Sequence, residues 1–292
     1  MKRNFLFFLL SSLLLLSGTT KAAEYYVKVA AAGNGDGTSW DNAMSGEVFI
    51  SKLASDIAAN DVIYMGGGIY RSQASPGTPF VTLTRAITII GGFDPGITGS
   101  TVDITYPSAT PTVLSGDVNG NGVADSGDSP VLYINSSNGE ITLRGIGVTG
   151  GYTTSSPQRP GIHVNSGNVK LYYCTVEKNV TRTTATNDAG GAGIFLAGAS
   201  ANVYAYKSII SNNASDNRGG GIRQADYSVL TLESCLVAGN DVSGAYGGAI
   251  QGSGGNTKTY CINTTIAYNT VNQHGAGINA SGEVYLISST VA

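Results

Sequence analysis

The sequence predicts an all-β protein, a right-handed, single-stranded parallel β-helix (a solenoid) with a short helix capping its N-terminal end. Three observations lead to this fold class. A glycine-rich motif that ends in Ile recurs every 28 residues, at Ile194, Ile222, Ile250 and Ile278. Between the copies lie short stretches of alternating apolar residues, each followed by a V/I-x-x-N motif. No segment between them has the apolar period of a long helix, so we expect rungs built from strands and tight turns.

The N-terminus has the pattern of a secretory signal peptide. Lys2 and Arg3 precede an apolar run from Phe5 to Leu16, and small residues follow up to Ala22. A helix of that run would rise only about 18 Å, too short to cross about 30 Å of hydrocarbon, so a membrane anchor is disfavoured. We expect cleavage after Ala22, no transmembrane span in the mature chain, and a secreted protein or one associated with the outer membrane or cell surface.

The composition excludes several classes of function. Charged residues make up only 12% of the chain, the net charge is −3, and there is no basic tract. Nucleic acid is therefore not an expected partner. Two His and three Cys are too few for a zinc cluster or a disulfide scaffold. The 41 glycines suit β-structure with many tight turns.

The chain divides into four parts. Residues 1–22 are the signal peptide, and residues 23–60 form an N-terminal cap. In this cap, Phe49, Leu53 and Ile57 define one face of an amphipathic helix over residues 48–58, with Trp40 beside it. Residues 61–159 form irregular rungs with an insertion at 117–128, and residues 160–292 form regular rungs of about 28 residues.

The end of the sequence also carries an expectation. The last V-x-x-N unit stops at Val291-Ala292, before its Asn. An open rung exposes backbone groups that have no partner. We therefore expect the repeats to be truncated at residue 292, so that the edge of the last rung pairs with further sequence or with a partner.

Alignment of the rungs on the Asn of the V/I-x-x-N motif predicts which residues stack. Residues two apart in a strand face the same side, so two columns line one interior wall and a third follows at the next strand. The first column is Val169, Val203, Leu230, Thr259 and Val284; the second is Leu171, Ala205, Leu232, Cys261 and Leu286; the third is Val176, Ile210, Val237, Ile266 and Val291.

The motif asparagines, Asn179, Asn213, Asn240 and Asn269, are predicted to form an internal ladder of amides at a turn. Glycan attachment is the alternative for Asn179 and Asn213, because both begin N-x-S/T sequons.

The cysteines are expected to be free. In the alignment Cys174 and Cys235 share a column with Ser208 between them, which places the two Cys about 9.6 Å apart. That distance exceeds the reach of a disulfide. Cys261 falls in the second interior column.

These motifs resemble two known families. The Gly-Gly-Ala-Ile and x-x-N motifs of residues 160–292 resemble the repeats of polymorphic outer membrane proteins, with Val or Ile in place of their Phe. The segment from Tyr25 to Tyr70, with its GNGDGTSW stretch, is similar to the entry segment of pectate-lyase-like secreted β-helices. The resemblance implies the fold. Since these proteins include adhesins, surface proteins and polysaccharide lyases, it implies no single activity.

Residues 117–128 match the spacing of an EF-hand-type calcium loop. Gly122 permits the sharp turn, position 12 is Asp where Glu is usual, and no helices flank the loop. A structural calcium ion is expected, and the alternative is a turn inserted between rungs. The candidate ligands are Asp117, Asn119, Asn121, Val123 (through its carbonyl), Asp125 and Asp128.

The catalytic residues are unknown from the sequence. A lyase needs a basic residue as its base and a cation beside the substrate carboxylate. The basic residues of the rungs form no cluster with acids, and Arg218 and Arg223, which flank a glycine turn, are expected to be solvated. The candidates are Arg144, Lys170, Lys178, Arg182, Lys207, Arg218 and Arg223.

Outward positions carry a column of tyrosines. Such a face can stack sugar rings or contact a protein partner. The alternative is that aromatic residues are simply favoured in strands. The members of this predicted binding face are Tyr172, Tyr204, Tyr206, Tyr260 and Tyr285.

These observations predict an exported surface or extracellular protein with an adhesive, binding or structural role. Its expected partner is a polysaccharide or a protein of a host or cell surface, and its only expected cofactor is calcium. The alternative function is a carbohydrate-active enzyme, such as a polysaccharide lyase acting on acidic polysaccharide.

Overall fold

The computed structural model describes residues 21–154, 159–182 and 190–292. Residues 1–20 of the predicted signal peptide lie outside the described residues. None of the helices in the described ranges is both long enough and apolar enough to cross a bilayer.

The elements of the described ranges are, in chain order, β1 (Glu24–Lys28), a 3-10 helix (Trp40–Asn42), β2 (Met44–Ser45), α1 (Gly46–Ser55), β3 (Val62–Gly66), β4 (Gly68–Arg71), β5 (Val81–Leu83), β6 (Thr88–Phe93), β7 (Thr112–Ser115), β8 (Leu132–Arg144), β9 (Ile146–Thr149), β10 (Tyr152–Thr153), β11 (Ile162–Tyr172), β12 (Thr175–Glu177), β13 (Val180–Thr181), β14 (Ile194–Leu196), β15 (Ala201–Tyr206), β16 (Ile209–Ser211), β17 (Ala214–Ser215), β18 (Ile222–Gln224), β19 (Val229–Glu233), β20 (Leu236–Ala238), β21 (Asp241–Val242), β22 (Ile250–Gly252), β23 (Lys258–Ile262), β24 (Thr265–Ala267), β25 (Thr270–Val271), β26 (Ile278–Ala280), β27 (Glu283–Ile287) and β28 (Thr290–Val291).

These strands form three sheets in which every described strand pair is parallel. The first sheet runs β2-β1-β3-β6-β8-β11 and then divides into the arms β14-β18-β22-β26 and β15-β19-β23-β27, with β5 beside β8. The second sheet runs from β4 through β7, β9, β12, β16, β20 and β24 to β28, and the third runs from β10 to β25. The chain is therefore the predicted parallel β-helix. A right-handed coil is the expected one, since connections between parallel strands of the same sheet are right-handed.

The register confirms the three predicted interior columns. Val169 pairs with Val203 and Leu171 with Ala205, and the same register continues through every later rung. In the second sheet Val176 pairs with Ile210, and this column also continues to the end. All members are buried except those of the last rung, which are 37–50% exposed.

The recurrent glycines allow a close approach within each rung. Gly219 and Gly247 have φ of +55° and +68°, a conformation that only glycine adopts readily. A Cβ on Gly219 would lie 2.9 Å from the Cβ of Arg223, and one on Gly247 would lie 2.5 Å from the Cβ of Gln251. The glycine leaves room for the outward side chain four residues later, which explains why the motif begins with Gly.

Each regular rung turns two corners through left-handed residues. At the first corner, between the first and second sheets, these residues are Gly145, Tyr173, Lys207, Ser234, Asn263 and Ser288. At the second corner, between the second and third sheets, they are Gly150, Lys178, Asn212, Gly239 and Tyr268. Left-handed conformations are costly for residues other than glycine, so the surrounding structure must hold them in place.

The second corner is held by the predicted asparagine ladder. Asn179 donates through Nδ2 to Asn213 Oδ1 at 3.0 Å, Asn213 to Asn240 at 2.9 Å, and Asn240 to Asn269 at 2.9 Å. Each of these Oδ1 atoms also accepts the backbone N–H of the preceding Asn, at 3.0–3.1 Å. Because the amide nitrogens of Asn179 and Asn213 are buried and engaged, the structure excludes the glycan alternative at these two positions.

The first corner is held by a ladder of hydroxyls and thiols. The backbone N–H of Cys174 donates to Ser208 Oγ at 3.1 Å, and that of Cys235 donates to Thr264 Oγ1 at 3.2 Å. The thiols in turn donate to main-chain carbonyls, Cys174 to Leu143 at 3.4 Å. All three cysteines are free and buried, as predicted. Burial raises the pKa of the Cys235 thiol to about 11, so it is unreactive at neutral pH.

Helix α1 covers the N-terminal end of the interior. Ser45 caps it by accepting the N–H of Val48 at 3.3 Å, and Phe49 and Ile57 are buried in the main core. The helix begins two residues earlier and ends three residues earlier than predicted. Trp40 is not part of this cap. It packs with Tyr26, Tyr64 and Phe93 in a second apolar cluster and donates its Nε1 to the Thr101 carbonyl at 2.8 Å.

One outward column of the first sheet is buried along its middle, from His163 to Gln251, and half-buried at its two ends. The column consists of Tyr133, His163, Phe195, Arg223, Gln251 and Asn279, paired in register. Arg223 is only 2% exposed, so the expectation that it is solvated is wrong. Its guanidinium lies 5.2 Å from the Phe195 ring, and its Nε donates to Gln251 Oε1 at 3.3 Å. The register stacks these side chains on one another, which removes the four middle ones from water.

His163 is the titratable group that this burial affects most. It lies between the rings of Tyr133 and Phe195, with centroids 5.0 and 5.1 Å away, and is 3% exposed. Among the described residues, neither of its ring nitrogens has a hydrogen-bond partner. Burial, together with the charge of Arg159, lowers the pKa of His163 to about 3. The imidazole is therefore neutral in the folded protein.

The asparagine ladder gives a first prediction. Asn213→Ala is expected to lower the free energy of unfolding by about 2–4 kcal/mol, because it leaves backbone and amide groups of Asn179, Val176 and Asn240 unpaired in the interior. Urea unfolding followed by circular dichroism measures the loss. The matched control is Asn202→Ala, since Asn202 donates to Asn168 on the exposed side and should cost under about 0.5 kcal/mol. Equal losses would contradict the ladder's role.

His163 gives a second prediction. As the pH falls from the ordinary His pKa near 6.5 toward 3, the unfolded chain takes up a proton that the folded chain does not. The free energy of unfolding should therefore fall by about 1.4 kcal/mol per pH unit from this residue. Denaturant titrations of wild type and His163→Phe at pH 7, 5 and 4 measure the difference, and the variant should lose this component. His274→Phe, at an exposed site, is the control and should retain it.

Candidate functional site

A groove lined by tyrosines lies outside the first corner, where a loop folds back over the second sheet. We call it the aromatic groove. It consists of two adjoining cavities of about 300 and 370 Å³ that share Tyr106, Pro107, Tyr173 and Thr175. Its other lining residues include Gly145, Gly147, Thr149, Glu177, Lys207 and Ile209.

The wall of the groove comes from the segment between β6 and β7. Tyr106 is anchored by its hydroxyl, which donates to the Gly91 carbonyl at 2.6 Å. Its ring occupies the space over Gly145, where a Cβ would lie 2.2 Å from the Tyr106 ring. The ring then stacks on Tyr173, with centroids 5.1 Å apart and planes inclined by 13°. Burial raises the pKa of Tyr106, so its hydroxyl remains a donor.

The floor of the groove follows the axis of the β-helix. Val113, Gly147, Thr175 and Ile209 are register partners in four successive rungs of the second sheet. At a strand spacing of about 4.8 Å, the floor is about 14 Å long. Gly147 contributes no side chain, which deepens the floor. The groove therefore has the shape to receive an extended chain lying along the axis.

The tyrosines continue from the groove around the corner onto the first sheet. Tyr173 contacts Tyr206 with centroids 5.9 Å apart, and Tyr172 contacts Tyr206 and Tyr204 at 6.3 and 6.0 Å. Three members of the predicted binding face, Tyr172, Tyr204 and Tyr206, are therefore contiguous with the groove. The hydroxyl of Tyr204 donates to Glu233 at 2.6 Å. Burial and this hydrogen bond raise the pKa of Tyr204.

The other two predicted tyrosines form a separate patch. Tyr260 and Tyr285 stack with centroids 4.8 Å apart and planes inclined by 7°. Thr231 lies between Tyr204 and Tyr260 in the column, so the aromatic surface is interrupted there. The predicted face is thus two patches, and the first of them adjoins the aromatic groove.

Two cations border the aromatic groove. The Arg144 guanidinium lies 5.0 Å from the Tyr172 ring and 6.0 Å from the Tyr106 ring. The Lys207 ammonium lies 5.2 Å from the Tyr206 ring and 5.7 Å from the Tyr173 ring. Within the described ranges, neither cation is ion-paired with a carboxylate. A hydrogen bond to the Tyr206 hydroxyl raises the pKa of Lys207, so it stays charged at neutral pH.

The remaining basic candidates lie elsewhere. Lys170 is paired with Glu140 at 2.8 Å, and Arg182 with Asp216 at 2.6 Å. The Arg218 guanidinium lies over Tyr246 at 5.3 Å. Of the seven basic residues considered from the sequence, the fold brings Arg144 and Lys207 together with the tyrosines.

The predicted calcium loop is a compact turn between β7 and β8. Asp117 Oδ1 accepts the N–H of Gly120 and Asn121 at 2.7 and 3.1 Å, and its Oδ2 accepts from Gly122 and from Arg71 at 2.9 and 3.0 Å. Burial alone would raise the pKa of Asp117, but these donors outweigh it and lower the pKa. Asp117 is therefore ionised and already has a cationic partner in Arg71.

The other side chains of the loop also accept backbone donors. Asn119 Oδ1 accepts from Asn121 at 2.9 Å, Asn121 Oδ1 from Val123 at 2.8 Å, and Asp128 from Val118 and Asp125 at 2.9 Å each. The side-chain oxygens at positions 1 and 3, of Asp117 and Asn119, thus accept the same backbone N–H, that of Asn121. The amide Nδ2 of Asn121 donates to Asp125 at 2.8 Å. Burial raises the pKa of Asp128, with a contribution from the charges of Asp125 and Asp117.

The loop oxygens retain lone pairs for an ion. Within the described ranges, however, no three His, Cys, Asp or Glu side chains are grouped as a metal site. Calcium binding by residues 117–128 therefore stays a prediction.

Sequence reasoning missed two residues of the groove, Tyr106 and Tyr173. Tyr106 belongs to a non-repeating insertion, so no register placed it over the second sheet. A signal for Tyr173 was available, because it precedes Cys174 as Lys207 precedes Ser208. That alignment marks a column of corner residues beside the tyrosine column.

Comparisons with known proteins add a likeness in shape alone. No family model and no curated protein matches the sequence. Among solved structures, the chain is similar to rice weevil pectin methyl esterase, with 12% identity and a TM-score of 0.38 over 94% of this chain and 90% of that one. At this score the likeness carries no argument about function, which must come from the groove itself.

Proposed function

We propose that the protein is an exported surface or extracellular β-helix that binds an acidic polysaccharide in the aromatic groove. One observation carries the proposal: four linked tyrosines, Tyr106, Tyr173, Tyr206 and Tyr172, border an axial groove beside two cations that have no carboxylate partner among the described residues. The signal-peptide pattern of residues 1–22 supports export to the medium or the cell surface.

The tyrosines suit the apolar faces of sugar rings. A Tyr ring offers a flat apolar surface and a hydroxyl at its edge, so it can stack on a sugar and also hydrogen-bond to it. Tyr106 and Tyr173 hold each other in place, which reduces the entropy lost when a ligand binds. The axial floor accommodates several linked sugars rather than a single one.

The cations suit carboxylates on the polysaccharide. Arg144 makes no hydrogen bond through its guanidinium in the described part of the chain, although aromatic rings fix its position. A guanidinium held in this way presents paired N–H donors that match a carboxylate. Lys207 provides a second positive charge two rungs further on. The pair therefore favours a uronate-bearing chain over a neutral one.

Binding without cleavage fits these groups better than the lyase alternative. A lyase needs an unprotonated base beside the substrate's α-proton. The raised pKa of Lys207 keeps its ammonium protonated at neutral pH, which works against that role. We therefore assign the groove a binding or adhesive role. The appearance of unsaturated products, followed by absorbance when the protein is incubated with polygalacturonate, would instead establish the lyase.

The groove gives a third prediction. Isothermal titration with polygalacturonate, alginate and neutral galactan should show binding of at least one acidic polymer and weaker binding of galactan. Tyr106→Ala and Lys207→Met should each weaken the binding of that polymer at least tenfold, because each removes part of the aromatic or cationic lining. Tyr268→Ala is the matched control, since Tyr268 is 86% exposed at the second corner, and it should bind like wild type. Failure to bind any of the polymers would refute the proposal.

We also propose that residues 117–128 bind a structural calcium ion, and this proposal gives a fourth prediction. Millimolar CaCl₂ should raise the melting temperature, because an ion that binds only the folded chain stabilises it. Asp125→Asn should abolish this rise. The matched control is Asp94→Asn, which lies outside the loop. Asp125 and Asp94 play the same part in their turns, since each accepts the backbone N–H of the residue two positions later, at 2.9 and 2.7 Å respectively. If calcium leaves the melting temperature of wild type unchanged, the loop is only a turn.

A further inference from the structure

A cleft of about 780 Å³ opens at the N-terminal end of the second sheet. We call it the edge cleft. Its walls are the first turn of α1, strand β4, Val29 and residues 73–80, and its lining is mainly apolar, with Ile50, Ile69 and Phe80. Val29 and Ile69 are 49% and 48% exposed, high values for apolar side chains. The aromatic groove shares none of these residues.

Strand β4 presents unpaired backbone to this cleft. Among the described strands it is the last one of the second sheet, and its one partner is β7. The N–H groups of Gly68 and Ser72 donate toward β7, to the carbonyls of Pro111 and Ser115 at 2.9 and 2.8 Å. Since successive residues of a strand face opposite neighbours, the N–H and C=O groups of Ile69 and Arg71 face the free edge. In the described part of the chain, no hydrogen bond satisfies these four groups.

The edge cleft lies where a strand of the second sheet is missing. In the first sheet, the rung of β3 is followed outward by β1, which pairs with it in register. Within the ranges that the structure describes, the second sheet has no strand beyond β4, because the chain leaves the β-helix after Lys28 and returns at Met44. The rung that contains β1 therefore has, among the described strands, one in the first sheet and none in the second, next to β4. The place of the missing strand is bordered by Val29 on one side and by α1 on the other.

We propose that the edge cleft binds an extended segment of another protein, which adds to β4 as one strand. Alternating donors and acceptors along an edge are matched by a peptide backbone, whereas sugars and lipids do not supply that alternation. The apolar walls call for an aliphatic side chain at the centre of the segment. A small molecule would leave most of the edge groups unsatisfied.

The surroundings define the segment further. Glu47 is exposed at the rim, whereas Arg71 is already neutralised by Asp117 at 3.0 Å. The net charge of the rim is negative, so a Lys or Arg next to the aliphatic residue is favoured. Helix α1 covers the adjacent interior, with Phe49 buried beneath it. Because this helix covers the interior at this end, a second β-helix cannot continue the stack there, but a single strand can add to the edge of β4.

The proposal is tested with peptides selected on the full chain from a phage-displayed library of random 12-residue sequences. Selected peptides should carry an aliphatic residue next to a basic one. On addition of a synthetic copy, the amides of Ile69 and Arg71 should exchange with deuterium at least tenfold more slowly. Ile69→Pro should weaken binding at least tenfold, because Pro removes an edge donor while leaving the β4–β7 hydrogen bonds intact.

A matched pair of variants distinguishes binding in the edge cleft from nonspecific binding to exposed apolar side chains. Ile69→Asp should abolish peptide binding, whereas Leu236→Asp should not, since Leu236 is similarly exposed at 37% but lies in an interior strand of the same sheet. Polygalacturonate binding should be unchanged in Ile69→Asp, because the aromatic groove shares no residue with the edge cleft. The proposal is overturned if peptides bind Ile69→Pro as tightly as wild type, if no peptide is enriched, or if light scattering shows self-association that Ile69→Pro abolishes.

Discussion

The structure depends on satisfying the backbone at two left-handed corners in every regular rung. A parallel β-helix must change direction within one or two residues, which turns main-chain N–H groups toward an apolar interior. Ladders of buried side chains accept these groups: asparagines at the second corner, and the hydroxyls of Ser and Thr at the first. Without them each rung would bury unpaired donors, at about 1–3 kcal/mol each. The β-helix therefore depends on buried polar side chains at its corners as well as on its apolar interior.

Regular corners also determine where a binding surface can form. Since each corner residue stands above the one before, Tyr173 and Lys207 project from adjacent rungs beside the tyrosines of the first sheet. That array becomes a groove only because one irregular loop lays Tyr106 over Gly145. The repeat thus supplies a regular platform, and a departure from the repeat supplies the wall. The proposed polysaccharide site and the predicted calcium loop both lie in or beside such departures.

At the N-terminal end of the β-helix, one strand is left with backbone groups that are unpaired among the described residues. Helix α1 shields the apolar interior, but it leaves the edge of β4 open, since a helix cannot continue the hydrogen bonding of a sheet. Exposed edges recruit other strands unless charge or proline blocks them. Here Ile69 is exposed and Arg71 is neutralised by Asp117. Inside the stack, the side-chain ladders satisfy the backbone hydrogen-bonding groups. At the edge of β4 these groups are unpaired in the described part of the chain, and a strand from a partner would fit there.

The sequence alone determined the parallel β-helix, its interior columns, the asparagine ladder and the free cysteines, because all of these repeat with the rung and follow from strand alternation. It also placed Tyr172, Tyr204 and Tyr206 on one outward face. Only the tertiary structure decided which of the tyrosines adjoin a groove, that Arg223 is buried, and that Trp40 packs away from α1. Those outcomes depend on insertions such as the one that carries Tyr106. Insertions have no period, so nothing local in the sequence specifies what they contact.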